Sequence, residues 1–115
     1  MTIVYGIKTC DTVRKATAWL KKHHVDFRFH DFREDGIDKK KLGNWCDIAG
    51  WETLVNKKST TWRGLTEAQQ AGITNKKAAI NILQEHPTLI KRPVIEHNQS
   101  LLVGYDEKKL EKTFK

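Results

Sequence analysis

Ile3-Val4-Tyr5-Gly6-Ile7-Lys8-Thr9-Cys10-Asp11-Thr12-Val13-Arg14-Lys15-Ala16 holds the key to the fold. Its first residues, Ile3-Val4-Tyr5, are β-branched and aromatic and suit a buried strand. Beyond the turn, Thr12, Val13, Ala16, Trp19 and Leu20 recur at helical spacing. Cys10 therefore falls on the turn between a first strand and a first helix, close to the helix N-terminus. Unpaired backbone N–H groups and the helix dipole favour an anion there. A thiol so placed loses its proton more readily than a free one, and the thiolate is the nucleophile.

A strand over 2–5 leads through the Cys10 turn into a helix from about 12 to 24. Val25-Asp26-Phe27-Arg28-Phe29-His30-Asp31-Phe32 alternates with period two, which predicts a second strand with Val25, Phe27 and Phe29 on its apolar face. Strand, helix and strand in that order form a right-handed βαβ unit with parallel strands. Gly36 ends this unit, and Asp38 is placed to cap a helix reaching about Ile48. Gly50-Trp51 and the short apolar piece Leu54-Val55 follow, then a polar loop over 57–61. A short helix is expected over 65–71. Another runs from Lys76 to His86 with Ala79, Ile80 and Leu83 as its buried stripe, and His86-Pro87 stops it. Leu89 to Glu96 leads into a third strand and Gln99 to Val103 forms a fourth, paired antiparallel through a His97-Asn98 turn. Asp106 caps a last helix that turns Leu110 and Phe114 inward. The order is β-α-β, several helices, then β-β-α. That is an α/β chain of thioredoxin-like fold, with a mixed four-stranded sheet and a helical insertion at about 37–86, in a single domain over 1–115.

Composition agrees with one globular core. The chain has 115 residues, 38% of them apolar, with four Trp, which excludes a disordered polymer. No apolar run approaches the roughly 20 residues a membrane-spanning helix needs. The N-terminus goes directly into strand-like sequence without a signal-peptide pattern, so a cytoplasmic protein is expected. Two cysteines, Cys10 and Cys46, lie far apart and make neither a disulfide scaffold nor a paired zinc site. Cys46 stands between Trp45 and Asp47 on a helix and is expected to be buried. His23-His24 and His30 lack the partners of a metal site and are assigned to surface or packing roles. The net charge of +7 is read chiefly as solvated lysines, such as Lys39-Lys40-Lys41 and Lys108-Lys109. Without an aromatic-plus-basic motif or a helix-turn-helix pattern, direct nucleic-acid binding is not expected. Neither a membrane partner nor an oligomer is expected, and the chain is read as a monomer.

The chemistry gathers at Cys10. Thr9, Asp11 and Thr12 make its turn polar and are candidate substrate contacts, and Lys8 and Arg14 add positive potential. Asp11 opposes them, and its side chain is expected to turn aside and cap the helix. Val13 occupies the position three residues on, so a redox cycle through an internal Cys-x-x-Cys disulfide is excluded. An external thiol must resolve whatever forms on Cys10. In a sandwich of this order the third strand starts beside the first βα turn, which brings Lys91-Arg92-Pro93-Val94 into play. Two conformations stay open. A cis Arg92-Pro93 bond turns the neighbouring backbone toward Cys10 and brings a guanidinium near the thiol; a trans bond leaves Arg92 in solvent at an edge strand. Thr60-Thr61-Trp62-Arg63 either rims a substrate groove, with Trp62 as platform and Arg63 as anion contact, or is core and solvated charge.

Tyr5-Gly6-Ile7-Lys8-x-Cys10-Asp11-Thr12, Arg28-Phe29-His30-Asp31-Phe32-Arg33, Thr60-Thr61-Trp62-Arg63, Glu85-His86-Pro87-x-Leu89-Ile90-Lys91-Arg92-Pro93 and Val103-Gly104-Tyr105 together resemble the ArsC-like family. The likeness covers essentially the whole chain and is nearest to the small YffB-type proteins, with Spx- and MgsR-like relatives. It implies a thioredoxin-like core with a helical insertion. In glutaredoxin-linked arsenate reductases of that family an early cysteine attacks arsenate, glutathione attacks the adduct, and arginines hold the oxyanion. Cys10 matches the nucleophile, and Arg92, before the proline, matches one of the arginines. Two further family arginines have no counterpart: Asn56-Lys57-Lys58 stands where one would follow Leu54-Val55, and Gly104 where one would follow the fourth strand. The resemblance thus implies a glutathione-dependent thiol oxidoreductase with no bound cofactor or metal. Glutathione is the implied co-substrate and glutaredoxin a further implied partner. Arsenate reduction is the first alternative. An Spx-like, non-enzymatic regulator that docks on RNA polymerase is the second.

Overall fold

The computed structural model describes residues 1–114. In chain order it runs β1 (Thr2–Gly6), α1 (Asp11–Lys22), β2 (Arg28–Asp31), α2 (Phe32–Asp35), α3 (Lys39–Ala49), α4 (Trp51–Leu54), α5 (Thr60–Gly64), α6 (Glu67–Ala71) and α7 (Lys76–Glu85). A 3-10 turn (Pro87–Leu89), β3 (Val94–His97), β4 (Ser100–Val103) and α8 (Glu107–Phe114) complete it. The chain divides into two compact units. One holds Met1–Asp35 and the chain from Arg92 onward, and the other holds Gly36–Lys91.

The first unit is built on a four-stranded sheet of order β2-β1-β3-β4. β1 and β2 are parallel, and the β1–β3 and β3–β4 pairs are antiparallel. This is the mixed α/β sheet that the order of elements predicts. Register puts Val4 opposite Phe29 on one side and Ile95 on the other, and Ile95 opposite Leu102. Strand side chains alternate between faces, so these four form one apolar row. Ala16, Trp19 and Leu20 of α1 and Leu110 of α8 close over the row, and Val25, Phe27, Phe29, Tyr105 and Phe114 pack at its margin. Each large side chain buried here stabilises the unit by about 1.5–3 kcal/mol relative to exposure.

Local chemistry explains where the elements stop. α1 ends at Lys22, two residues short of the expected limit, because His24 takes the left-handed conformation (φ 59°). β2 is shorter than the alternating run, since Phe32 already begins α2, a helix the sequence pattern does not announce. The pattern's apolar face is nevertheless the packed one. Asn98, also left-handed at φ 54°, makes the turn between β3 and β4, which spans Asn98-Gln99 rather than His97-Asn98. Asp106 caps α8 as expected, its Oδ1 accepting the Lys108 and Lys109 N–H groups at 3.0 and 3.3 Å.

In the second unit Asp38 caps α3, accepting the Lys41 N–H at 2.7 Å, and Asn75 caps α7, accepting the Ala78 N–H at 2.9 Å. Leu42, Trp45, Cys46, Leu54, Ala79, Leu83, Leu89 and Ile90 are buried. Ile80 is only half-buried, so the α7 stripe is narrower than its spacing suggests. Val55 and Ile90 form an isolated antiparallel bridge, continued by Asn56 N–H to Leu89 C=O and Lys91 N–H to Leu54 C=O. The stretch 57–61 is not wholly a loop. Ser59 accepts the Trp62 N–H at 3.1 Å and starts α5 at Thr60. Among the described residues no helix is long and apolar enough to cross a membrane.

Candidate functional site

Cys10 occupies the N-cap of α1, with extended backbone (φ −80°, ψ 124°) and a half-exposed side chain. Its N–H donates to Ile7 C=O at 3.0 Å, closing the turn, and its C=O accepts the Arg14 N–H at 3.0 Å, opening the helix. Asp11 is therefore the first helical residue and not the cap. Its exposed carboxylate stands 4.0 Å from the Arg14 guanidinium. The cap lies so close to the sheet because Gly6 has no side chain: a Cβ there would meet Val13 Cγ2 at 2.6 Å.

The Cys10 thiol is shifted below its ordinary pKa. Partial burial is the largest single influence and works the other way, since it disfavours the charged form. It is outweighed together by the Val13 N–H, the charge of Arg92, the Thr12 N–H and a hydrogen bond from Arg92. The neutral thiol makes no side-chain cap hydrogen bond. The N–H groups thus act on the developing charge of the thiolate, as expected at a helix N-terminus.

Arg92 reaches the thiol from the start of β3. The Arg92-Pro93 peptide is cis. Pro93 is buried, and its C=O accepts the Gly104 N–H at 2.8 Å, tying the approach of β3 to the end of β4. Gly104 takes φ 86°, a left-handed conformation that favours glycine.

The other cations are engaged elsewhere. The Lys8 ammonium donates to Glu34 Oε1 at 2.9 Å, and this exposed pair raises the Lys8 pKa. Arg14 Nε donates to Lys8 C=O at 3.2 Å. The groups that lower the thiol pKa are the N–H groups of the helix N-terminus and Arg92. Thr9 is exposed beside the turn, and Thr12 contributes its backbone N–H. Trp62 and Arg63 lie on α5 in the second unit. The Trp62 C=O accepts from Gln70 Nε2 at 2.8 Å, the Lys57 Nζ lies 5.6 Å from its ring centroid, and Arg63 is exposed.

Sequence reasoning missed Asp31, which it used as part of a strand pattern and of the resemblance but assigned no role. The residue is 4% exposed, and its carboxylate accepts the Lys8 N–H at 3.2 Å and the Arg33 N–H at 2.7 Å. Burial pushes its pKa up, but the N–H groups of Arg33, Lys8 and Glu34 and the charge of Lys8 outweigh that and hold it below the usual carboxylate value. A polar residue at the last position of an alternating strand, followed by an acidic pair, was the available signal.

Known proteins share this sequence pattern and this fold. The pattern of the ArsC family matches residues 5–113. An uncharacterized protein of Haemophilus influenzae is 46% identical over 114 residues, covering 99% of each chain. The solved structure of a YffB protein superposes with a TM-score of 0.96 at 40% identity, covering all of both chains. The global transcriptional regulator Spx of Lactiplantibacillus plantarum is 26% identical over 113 residues, 93% of this chain and 81% of that one.

Proposed function

This chain belongs to the ArsC family, and we propose that it is a thiol oxidoreductase using Cys10 as nucleophile and glutathione as the completing thiol. The observation that carries this reading is the half-exposed thiol at the α1 N-cap, its pKa lowered by the Val13 and Thr12 N–H groups and by Arg92. The Cys10 thiolate attacks one sulfur of a mixed disulfide between substrate and glutathione. The Cys10–glutathione disulfide forms, the original S–S bond breaks, and the substrate leaves as thiolate. A second glutathione thiolate attacks the glutathione sulfur, releasing oxidised glutathione and restoring the Cys10 thiolate. Arg92 steadies the thiolate and offers a bidentate contact to a carboxylate. Val13, in place of a second cysteine, leaves the external thiol as the resolving group. The reaction takes place in the cytoplasm, on a monomer, with glutaredoxin as a further electron carrier.

The test is turnover of a glutathionylated substrate with reduced glutathione, for the wild-type chain and Cys10→Ser. Activity lost in the variant supports the reading, and full turnover in the variant refutes it. Arsenate stands behind disulfides as a substrate, because Asn56-Lys57-Lys58 and Gly104 replace two oxyanion-binding arginines, each worth about 1.5–3 kcal/mol as a charged hydrogen bond. The likeness to Spx over most of the chain favours one second reading, a regulator docking on RNA polymerase. A pull-down with the isolated C-terminal domain of the polymerase α chain, under reducing and oxidising conditions, tests it; no binding in either condition discards it.

A further inference from the structure

We propose that Asp31 is a positioning residue for the Cys10 thiolate, an inference that rests on the reading of Cys10 as nucleophile. Asp31 pairs in register with Gly6, so it ends β2 where β1 ends and the Cys10 turn begins. Phe32, which follows it, and Ile7, which follows its register partner Gly6, are apolar and buried, and Asp31 itself is 4% exposed. A carboxylate is a costly choice for such a place unless both oxygens are satisfied. Capping α2 needs one oxygen, and Oδ1 supplies it by accepting the Arg33 N–H at 2.7 Å. The second oxygen, Oδ2, is directed to the other loop and accepts the Lys8 N–H at 3.2 Å.

That second bond acts on Cys10 through one peptide group. The Lys8 N–H and the Ile7 C=O belong to the same planar unit. Asp31 holds the unit by its N–H, and the Cys10 N–H holds it by its C=O at 3.0 Å. Fixing the plane of this peptide fixes where the Cys10 backbone lies, and so how its sulfur faces the Thr12 and Val13 N–H groups. A charged acceptor also polarises the peptide and strengthens the bond that the C=O accepts. The same corner grips Lys8 a second time, through the Glu34 bond to its ammonium, but that pair is exposed on both sides and is a minor restraint.

The sign of the effect separates positioning from charge. Removing a nearby negative charge would, by itself, make Cys10 easier to ionise. Removing the positioning bond makes it harder, because the thiolate loses its aligned N–H groups. The experiment is iodoacetamide alkylation of reduced wild-type protein, Asp31→Asn, Asp31→Ala and Glu34→Ala against pH, with Cys10 modification followed by mass. In Asp31→Ala the midpoint moves up toward that of a free thiol, and the neutral-pH rate falls about three- to tenfold, matching half to one pKa unit. Asp31→Asn, with a single acceptor oxygen for the Lys8, Arg33 and Glu34 N–H groups, falls between, and Glu34→Ala stays within about twofold of wild type. Should Asp31→Ala not fold, Asp31→Asn decides. A midpoint in the Asp31 variants that is unchanged or lower overturns the positioning role, even if folded stability drops. A wild-type midpoint already at the free-thiol value overturns the Cys10 reading and this inference with it, so the two failures are told apart.

Discussion

Cys10 and Cys46 are the same residue in opposite settings. Cys10 begins a helix, half-exposed, with two N–H groups and a guanidinium acting on its sulfur; its pKa is lowered despite the cost of burial. Cys46 sits in the latter half of α3, 7% exposed, and its pKa is raised. There burial dominates, Lys76 pulls back against it, and Asp47 adds to it. The opposite shifts follow from what faces each sulfur: N–H groups and Arg92 at Cys10, and chiefly burial at Cys46. Both cysteines have cations within reach, and only the one at a helix N-terminus has its thiolate favoured.

Four experiments put this contrast at risk. Cys10→Ser carries the largest expected effect: thiol-transfer activity falls to background, while a Cys46→Ser control keeps it, as measured by glutathione-coupled turnover. Next, native-state alkylation of the wild-type chain at pH 7, resolved by peptide mass, should label Cys10 over Cys46 by about a hundredfold or more, since Cys46 reacts only when its helix opens. Comparable labelling would dissolve the contrast. Third, Arg92→Ala should raise the Cys10 midpoint and slow its alkylation at neutral pH severalfold, whereas Arg92→Lys keeps part of the charge effect and falls between. Smallest is Lys76→Ala. It removes the cation that opposes burial at Cys46, pushing that pKa further up. It also breaks the exposed Lys76–Asp47 pair, at a cost to stability of about 0.5 kcal/mol measured by denaturant unfolding.

The two thiols also differ in how they couple folding to pH. Cys10 has a folded-state pKa below its unfolded value, so the native state releases its proton first. Its contribution grows as pH rises through the folded pKa and is complete above the unfolded one. Cys46, raised in the folded state, contributes below its unfolded pKa and loses that contribution as pH climbs through the folded one. Asp31 behaves as a depressed carboxylate: its contribution is present above the unfolded pKa and is lost as pH falls through the folded one.

Much of the framework was legible because it depends on neighbours in the chain. The alternation over Val25 to Phe32 marked Val25, Phe27 and Phe29 as the face that packs, even though β2 itself is shorter. Asp38 and Asp106 were readable as caps because a cap reaches only two or three residues ahead. The errors were local competitions that composition does not resolve. Asp11 looked like the cap, yet Cys10 took that position once Gly6 let α1 sit close on Val13. Ser59 drew Thr60 and Thr61 into α5 from a stretch that reads as loop. Lys8 and Arg14 carry side-chain bonds to Glu34 and to the Lys8 carbonyl, and neither partner is apparent from spacing alone.

From the order of residues alone it follows that a cysteine ends a strand and starts a helix. It follows equally that no second cysteine stands three residues on, and that an Arg-Pro pair precedes the third strand. Those are statements about adjacency, and strand and helix periodicity suffices to make them. What surrounds the thiol was settled by folding in three dimensions. The antiparallel pairing of β1 with β3 carries Arg92 to Cys10, and the parallel pairing of β1 with β2 brings Asp31 under Lys8. Both contacts join residues distant in the chain, so they come into being when the sheet closes.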